Sequence, residues 1–284
     1  MLLKGKPVAD RIKADIIDAV ENCRKTGGTM PRLAILRAGD RADDLAYEAR
    51  VLKNCEELGI GAQVEAVDKD IDMADFLEVL SRLNEDPNIH GILVFRPLPP
   101  QLDQDAVSRM IKPEKDIDCM STVNAEKVFS GDPDGIPPCT PEAVIELLKH
   151  YQYDLTGKNV VIVNRSMVLG KPLSMMFLSE NATVTICHSK STDLPQITSR
   201  ADIVVTGVGK AGFFGPDYFS GDSVVIDVGI NMEQGKLCGD VDFDQVSENV
   251  AAITPVPGGI GTVTSAILLS HVIKAMKLQQ AELA

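Results

Sequence analysis

The residues best placed to do chemistry follow an apolar run, Val160-Val161-Ile162-Val163, that reads as a buried strand. They are Asn164-Arg165-Ser166-Met167-Val168-Leu169-Gly170-Lys171-Pro172, with a helical stretch after them. A loop between a buried strand and a helix can turn amide donors toward a pyrophosphate. The glycine-rich fingerprint of dinucleotide loops is absent: Asn164 stands where its first glycine would be, and Gly170 is what remains. The asparagine side chain is expected to crowd phosphates there. The next strand ends in Cys187-His188-Ser189-Lys190-Ser191. An acid in that place would bind ribose hydroxyls. These residues are neutral or basic and, with Arg165, favour a 2′-phosphate, hence NADP ahead of NAD. The bland alternatives are an ordinary strand-to-helix turn at 164–172 and a solvated turn at His188 and Lys190.

The elements that would position these residues alternate along the chain. Residues 6–25 read as an amphipathic helix, Arg32–Arg37 as a strand, 43–58 as a helix closed by Gly59, and Ile60–Val67 as a second strand. Met73–Leu83 is a helix and Gly91–Val94 a short, fully apolar strand of the buried parallel type. Residues 113–141 are rich in Pro, Gly and Asp and read as a hinge. Thr140-Pro141-Glu142 then opens a helix, with Thr140 as N-cap. Strands follow at Asn159–Val163, Thr183–Cys187, Ala201–Thr206 and Ser223–Val228, with a helix at Gly170–Ser179. Strands separated by helices imply an α/β fold with a doubly wound parallel sheet. A last helix runs from about Thr262 to Lys277.

Composition narrows the function classes. The formal charge of −13 opposes nucleic-acid binding and an anionic membrane surface, but not a small anion on a local positive patch. No apolar run reaches the roughly 18 residues needed to span a bilayer, and the charged start MLLKGKPVADRIKADI is a poor signal peptide. The six cysteines have neither a CxxC pair nor zinc spacing, so no metal site is expected and a reducing cytoplasm is.

Taken with Pro97-Leu98-Pro99, Lys115-Asp116-Ile117-Asp118, Pro138-Cys139-Thr140-Pro141, Asp227-Val228-Gly229-Ile230-Asn231 and Thr254-Pro255-Val256-Pro257-Gly258-Gly259-Ile260-Gly261, these segments resemble the methylenetetrahydrofolate dehydrogenase/cyclohydrolase family. The match runs through essentially the whole chain in one order. The resemblance implies two domains with a cleft between them. Residues 1–139 would form the folate-binding α/β domain, with helix 262–284 packing back on it, and 140–261 the Rossmann-like dinucleotide-binding domain. It implies a homodimer that oxidises 5,10-methylenetetrahydrofolate to the methenyl form and, in most members, hydrolyses that to 10-formyltetrahydrofolate. Carried over by motif, Tyr47 is the active-site tyrosine near the pterin, and Asp118 the acid on the pterin's amino edge. Pro97, Leu98, Pro257, Gly258 and Gly259 border the folate. Arg165 and Ser189 contact the 2′-phosphate, while Asn164, Ser166, Gly170, His188, Lys190, Gly207 and Ile230 complete the cofactor set.

The chain departs from the family around one pocket. The tyrosine of the family is followed four residues later by a catalytic lysine, and here that position is Val51. The family glutamine and leucine before Pro97 are Phe95 and Arg96, and a serine before the tyrosine is Asp44. On a helix Val51 lies about 40° round from Tyr47, Arg50 about 60° and Lys53 about 240°. Arginine stays protonated and shuttles protons poorly. Hydride removal needs alignment rather than a protein base, whereas hydrolysis needs activated water. The expectation is a dehydrogenase with weak or absent cyclohydrolase activity, with a separate cyclohydrolase beside it. The alternatives are the ordinary bifunctional enzyme using Arg50 or Lys53, and a non-catalytic folate- or nucleotide-binding protein. A hydroxyacid dehydrogenase would need a catalytic histidine near an arginine, which His90, His150, His188 and His271 do not offer.

Overall fold

A computed structural model describes residues 1–282; positions 283 and 284 of the expected last helix lie outside the described residues. The chain divides into two compact units. One holds residues 1–10 and 138–267, and the other holds 11–137 and, of the described residues, 268–282. The first ten residues thus belong with the carboxy-terminal half, where Leu2 pairs with Ile253.

In chain order the regular elements are α1 (Gly5–Thr26), β1 (Arg32–Ala38), α2 (Ala42–Leu58), β2 (Gly61–Val67), α3 (Met73–Glu85), β3 (Gly91–Val94), α4 (Gln104–Met110), α5 (Thr122–Ser130) and α6 (Cys139–His150). Then come β4 (Asn159–Val163), α7 (Gly170–Ser179), β5 (Thr183–Cys187), α8 (Leu194–Thr198), β6 (Ile203–Thr206), β7 (Val224–Asp227), β8 (Asn231–Glu233), β9 (Lys236–Cys238), α9 (Phe243–Val246), β10 (Ala252–Ile253) and α10 (Ile260–Glu282).

In the amino-half unit, β1–β3 form a parallel sheet of order β2-β1-β3. Its centre is apolar because β3 is buried throughout and β1 from residue 33 to 37, as strands of a covered parallel sheet must be. Phe76, Leu80 and Leu83 of α3 pack with Ala34, Leu36, Ile92 and Val94. Gly91 leaves no room for a side chain beside Ile117 and Val272. Residues 268–282 of α10 are tied to this unit by polar contacts. His271 Nδ1 lies 2.8 Å from Ile117 O, and Gln279 Nε2 donates to His90 O and Glu114 O.

In the carboxy-half unit five parallel strands run β10-β7-β6-β4-β5. The chain starts at β4, places β5 on one side, then crosses to build β6, β7 and β10 on the other. The strand order therefore reverses between β4 and β6, the topological switch point of a doubly wound sheet. Val161, Val163, Val204, Val225 and Ile253 face a core closed by Phe214 and Phe219.

Two sequence expectations need correction, and one element was not anticipated. Residues 113–141 are not a bare hinge: they hold α5, capped by Ser121 Oγ on Asn124 N. A short helix also forms at α4, with Asp103 as its cap. And α6 starts at Cys139 with Pro138 before it, so Thr140 is not the N-cap. Pro141 sits in the first turn, where its missing N–H would have had no helical partner.

Candidate functional site

In the amino-half unit the site residues come from α2, the end of β3 and the loop at 115–118. Tyr47 is half-buried, and its ring centroid lies 5.3 Å from that of Phe95, tilted by 39°. Phe95 is fixed by its own N–H, which donates to Leu36 O and extends the β3 pairing by one residue. Val51, one turn beyond Tyr47, is only 4% exposed. No proton donor or acceptor occupies that position. Cys55, a further turn on, is no substitute base, because burial pushes its thiol up to about 12. Arg50 is exposed. Lys53 is 74% exposed and reaches toward Glu57 at 3.9 Å. Asp44 is buried and held by Arg41 at 2.8 and 3.0 Å.

Asp118 is presented by a scaffold that sequence reasoning did not foresee. Asp116, 1% exposed, accepts from Met120 N and from Ser121 N and Asn124 Nδ2. Lys115 is buried too; its ammonium donates to Asp86 O at 2.7 Å, and desolvation lowers its pKa. So the first two residues of the Lys-Asp-Ile-Asp run fold the loop, and the last faces outward, half-buried. Arg96 Nη2 donates to Asp118 Oδ2 at 2.6 Å. The contact was missed because 22 residues separate the partners; the one signal was an arginine in an otherwise apolar and proline-rich stretch. Pro97 is exposed and Leu98 half-buried in the segment that follows. The unit thus holds two contacting pairs, the rings of Tyr47 and Phe95 and the ion pair of Arg96 and Asp118, linked by the succession of Phe95 and Arg96 in the chain.

The remaining predicted folate residues, Pro257, Gly258 and Gly259, belong to the carboxy-half unit, in the turn before α10. Gly258 has φ 101°, which only glycine adopts readily. Its carbonyl accepts from Gly5 N.

In that unit the loop after β4 is organised by the asparagine that replaces a glycine. Asn164 Oδ1 accepts from Ser166 N at 2.8 Å, Ser166 Oγ at 2.8 Å and Gly170 N at 3.0 Å. Its Nδ2 donates to Gly207 O at 2.6 Å, joining the exits of β4 and β6. Helix α7 has no capping side chain at its own start, so Asn164 serves as a remote cap. The side chain expected to crowd phosphates turns into the loop. It also uses two of the amides expected to face a pyrophosphate. Gly170 is required because a Cβ there would collide with the Asn164 peptide. Arg165, Ser189 and Lys190 are exposed at the ends of β4 and β5. His188 Nδ1 accepts from Lys190 N, which shapes that turn.

Beyond β6 and β7 lies a buried carboxylate pair. Asp227 Oδ1 accepts from Thr206 Oγ1, Gly229 N and Asp240 N, and Oδ2 from Val241 N. Desolvation pushes its pKa up to about 6 despite these donors. Ile230 follows, 67% exposed. A hollow of about 520 Å³ in this unit is lined by Asp227, Glu233, Asp242 and Asp244, a lining that repels phosphate. Among the described residues no group of three or more His, Cys, Asp or Glu could hold a metal ion, and no helix is long and apolar enough to cross a membrane.

Residues 3–118 match the family described as tetrahydrofolate dehydrogenase/cyclohydrolase, catalytic domain, and residues 138–280 its NAD(P)-binding domain. A bifunctional protein FolD of Clostridium botulinum is 54% identical over 275 residues, 96% of this chain and 97% of its own. The crystal structure of the bifunctional FolD enzyme of Campylobacter jejuni superposes with a TM-score of 0.95 at 36% identity, covering 98% of this chain and 99% of that one. The Trypanosoma brucei methylenetetrahydrofolate dehydrogenase-cyclohydrolase, solved with NADP and an inhibitor, gives 0.92 at 33% identity over 99% and 98% of the two chains.

Proposed function

Because the chain belongs to the tetrahydrofolate dehydrogenase/cyclohydrolase family, we propose that it oxidises 5,10-methylenetetrahydrofolate to the methenyl form and hydrolyses that product. The observations that carry this are a ring pair, Tyr47 on Phe95, and a carboxylate, Asp118, fixed by Arg96, the residue after Phe95, in the unit that matches the catalytic domain. A pterin has a flat face for the rings and an amino edge for Asp118. Ring contact and carboxylate together fix the folate's orientation, which is the main demand of a hydride-transfer step.

The residues after β4 and β5 fit a 2′-phosphorylated dinucleotide. Arg165 and Lys190 are exposed cations, Ser189 an exposed hydroxyl, and the 187–191 turn holds no acid. Bound there, NADP would supply the hydride acceptor. NADP is preferred to NAD for that reason. The six cysteines are all free thiols, which suits a cytoplasmic enzyme, and a homodimer is expected.

A relative named bifunctional and two solved structures named for both activities support the two-step reading. In it Arg50, exposed one turn beyond Tyr47, is better placed than Lys53 to act in hydrolysis. A second reading, dehydrogenation with hydrolysis weak or absent, is favoured by one specific observation: Val51, one turn beyond Tyr47, is buried and apolar, so no group there can move a proton. A separate cyclohydrolase would then complete the sequence.

One sample tests both. Purified protein is mixed with methylenetetrahydrofolate and NADP or NAD, and reduced nicotinamide is followed by absorbance. Methenyltetrahydrofolate is then supplied and its disappearance compared with buffer. No nicotinamide reduction overturns the dehydrogenase. Hydrolysis above the buffer rate upholds the two-step reading, and hydrolysis at the buffer rate the single-step one.

A further inference from the structure

We infer that Asp240 is a positioning residue for the nicotinamide half of the dinucleotide. It acts by fixing the exits of β6 and β7 as the wall on which that half rests. The inference builds on the dinucleotide site proposed above.

Topology divides the ligand first. In a doubly wound sheet a dinucleotide lies across the switch point, one half over each side. The basic turn at 187–191 lies on the β5 side and takes the phosphorylated adenosine half. The nicotinamide half therefore falls over the ends of β6 and β7, where Gly207 and Ile230 are found.

Both of those exits are organised by one carboxylate. Asp240 is fully buried. It accepts from three successive amides of the loop after β6: Val208 N, Gly209 N at 3.1 Å and Lys210 N at 2.8 Å. Successive amides converging in this way make an anion-binding nest. Here the nest is filled from within the protein, so the loop gives shape and not phosphate binding. The same carboxylate accepts from Asn231 Nδ2 at 2.9 Å, directly after Ile230. Its own N–H, with that of Gly229, donates to Asp227 Oδ1. Gly229 has no room for a Cβ, because Asp240 already fills the space. Bonds to a charged acceptor are the strong ones, and four of them on one residue leave the wall little freedom. The hydrogen bonds of the Asp240 carboxylate go to the loop after β6 and to Asn231, not to Arg165, Ser189 or Lys190, the residues proposed to hold phosphate.

The test separates a positioning role from a general loss of structure by comparing two ligands. NADP carries both halves, and 2′-phospho-ADP-ribose lacks the nicotinamide. Each is titrated calorimetrically into the wild-type chain, Asp240→Asn and Asn231→Ala, with thermal unfolding measured alongside. Asp240→Asn presents an NH2 to a nest of donors. It is expected to weaken NADP roughly 10- to 100-fold while leaving 2′-phospho-ADP-ribose within about twofold, the size expected for one or two charge-assisted bonds. Asn231→Ala removes a single donor and keeps the hub; it should weaken NADP roughly 3- to 10-fold with the fragment unchanged. It decides the matter if Asp240→Asn does not fold. Equal weakening of both ligands, or no weakening of either, overturns the inference. A wild-type chain that binds neither ligand overturns the dinucleotide site itself, and the inference falls with it.

Discussion

Asn164→Gly sets two physical accounts of one residue against each other. The sequence suggested that an asparagine in a glycine slot would crowd phosphates. The structure turns its side chain into the loop, where it makes four hydrogen bonds of 2.6 to 3.0 Å. Each such bond contributes about 0.5–1.5 kcal/mol net, and because the residue is half-buried, water replaces only part of the loss. Glycine adds backbone entropy to the unfolded chain of roughly 0.5–1 kcal/mol. The expected cost is roughly 2–4 kcal/mol in this unit, a fall in Tm of roughly 5–10 °C. With Ser166, Gly170 and Gly207 no longer tied together, the loop must be ordered by the ligand. NADP should bind at least roughly tenfold more weakly. Thermal unfolding and an NADP titration on the same preparation check both. An unchanged Tm with tighter NADP binding would refute the bracing argument and restore the crowding one.

Three further outcomes are expected. Where wild-type hydrolysis proves weak, Val51→Lys alone should raise it by less than about tenfold, and Val51→Lys with Phe95→Gln by roughly 10²–10⁴-fold, since an ammonium beside a phenyl ring has no polar neighbour; full recovery from the single change would show Phe95 to be neutral. Arg96→Leu removes a partner of Asp118 and should weaken folate binding roughly 5- to 20-fold with NADP affinity unchanged, as followed by titration with tetrahydrofolate; unchanged folate binding would remove the ion pair from the site. Asp227 is raised by desolvation from 3.8 to about 6, so its contribution to stability is fully present below pH 3.8 and lost as pH rises through 6. Asp227→Asn cannot ionise, so its destabilisation relative to wild type should shrink by roughly 2–3 kcal/mol between pH 4 and 7 in urea melts; a constant difference would contradict the shifted titration.

Strands and long helices were legible because their signals are local. Val160–Val163 and Gly91–Val94 are continuous apolar runs, and α3 repeats its apolar residues every turn. The short α4 and α5 were not legible. They bury only Val107, and Asn124 with Val128, too few positions to establish a period. Tyr47 and Asp118 were found through motif, while their neighbours were misjudged or overlooked. Arg96 was noted as a substitution without its contact to Asp118, and Asp240 drew no attention at all.

The amino-acid sequence by itself determined the α/β class, the family and the positions where this chain departs from it, above all Val51. Those properties reside in residue type and short spacing. Tertiary structure decided what the polar residues do. Asn164 reaches Gly207 across 43 residues, Asp240 reaches Val208 across 32, and Arg96 reaches Asp118 across 22. A hydrogen bond over such a separation depends on where the strands return the chain, and no local pattern encodes that return.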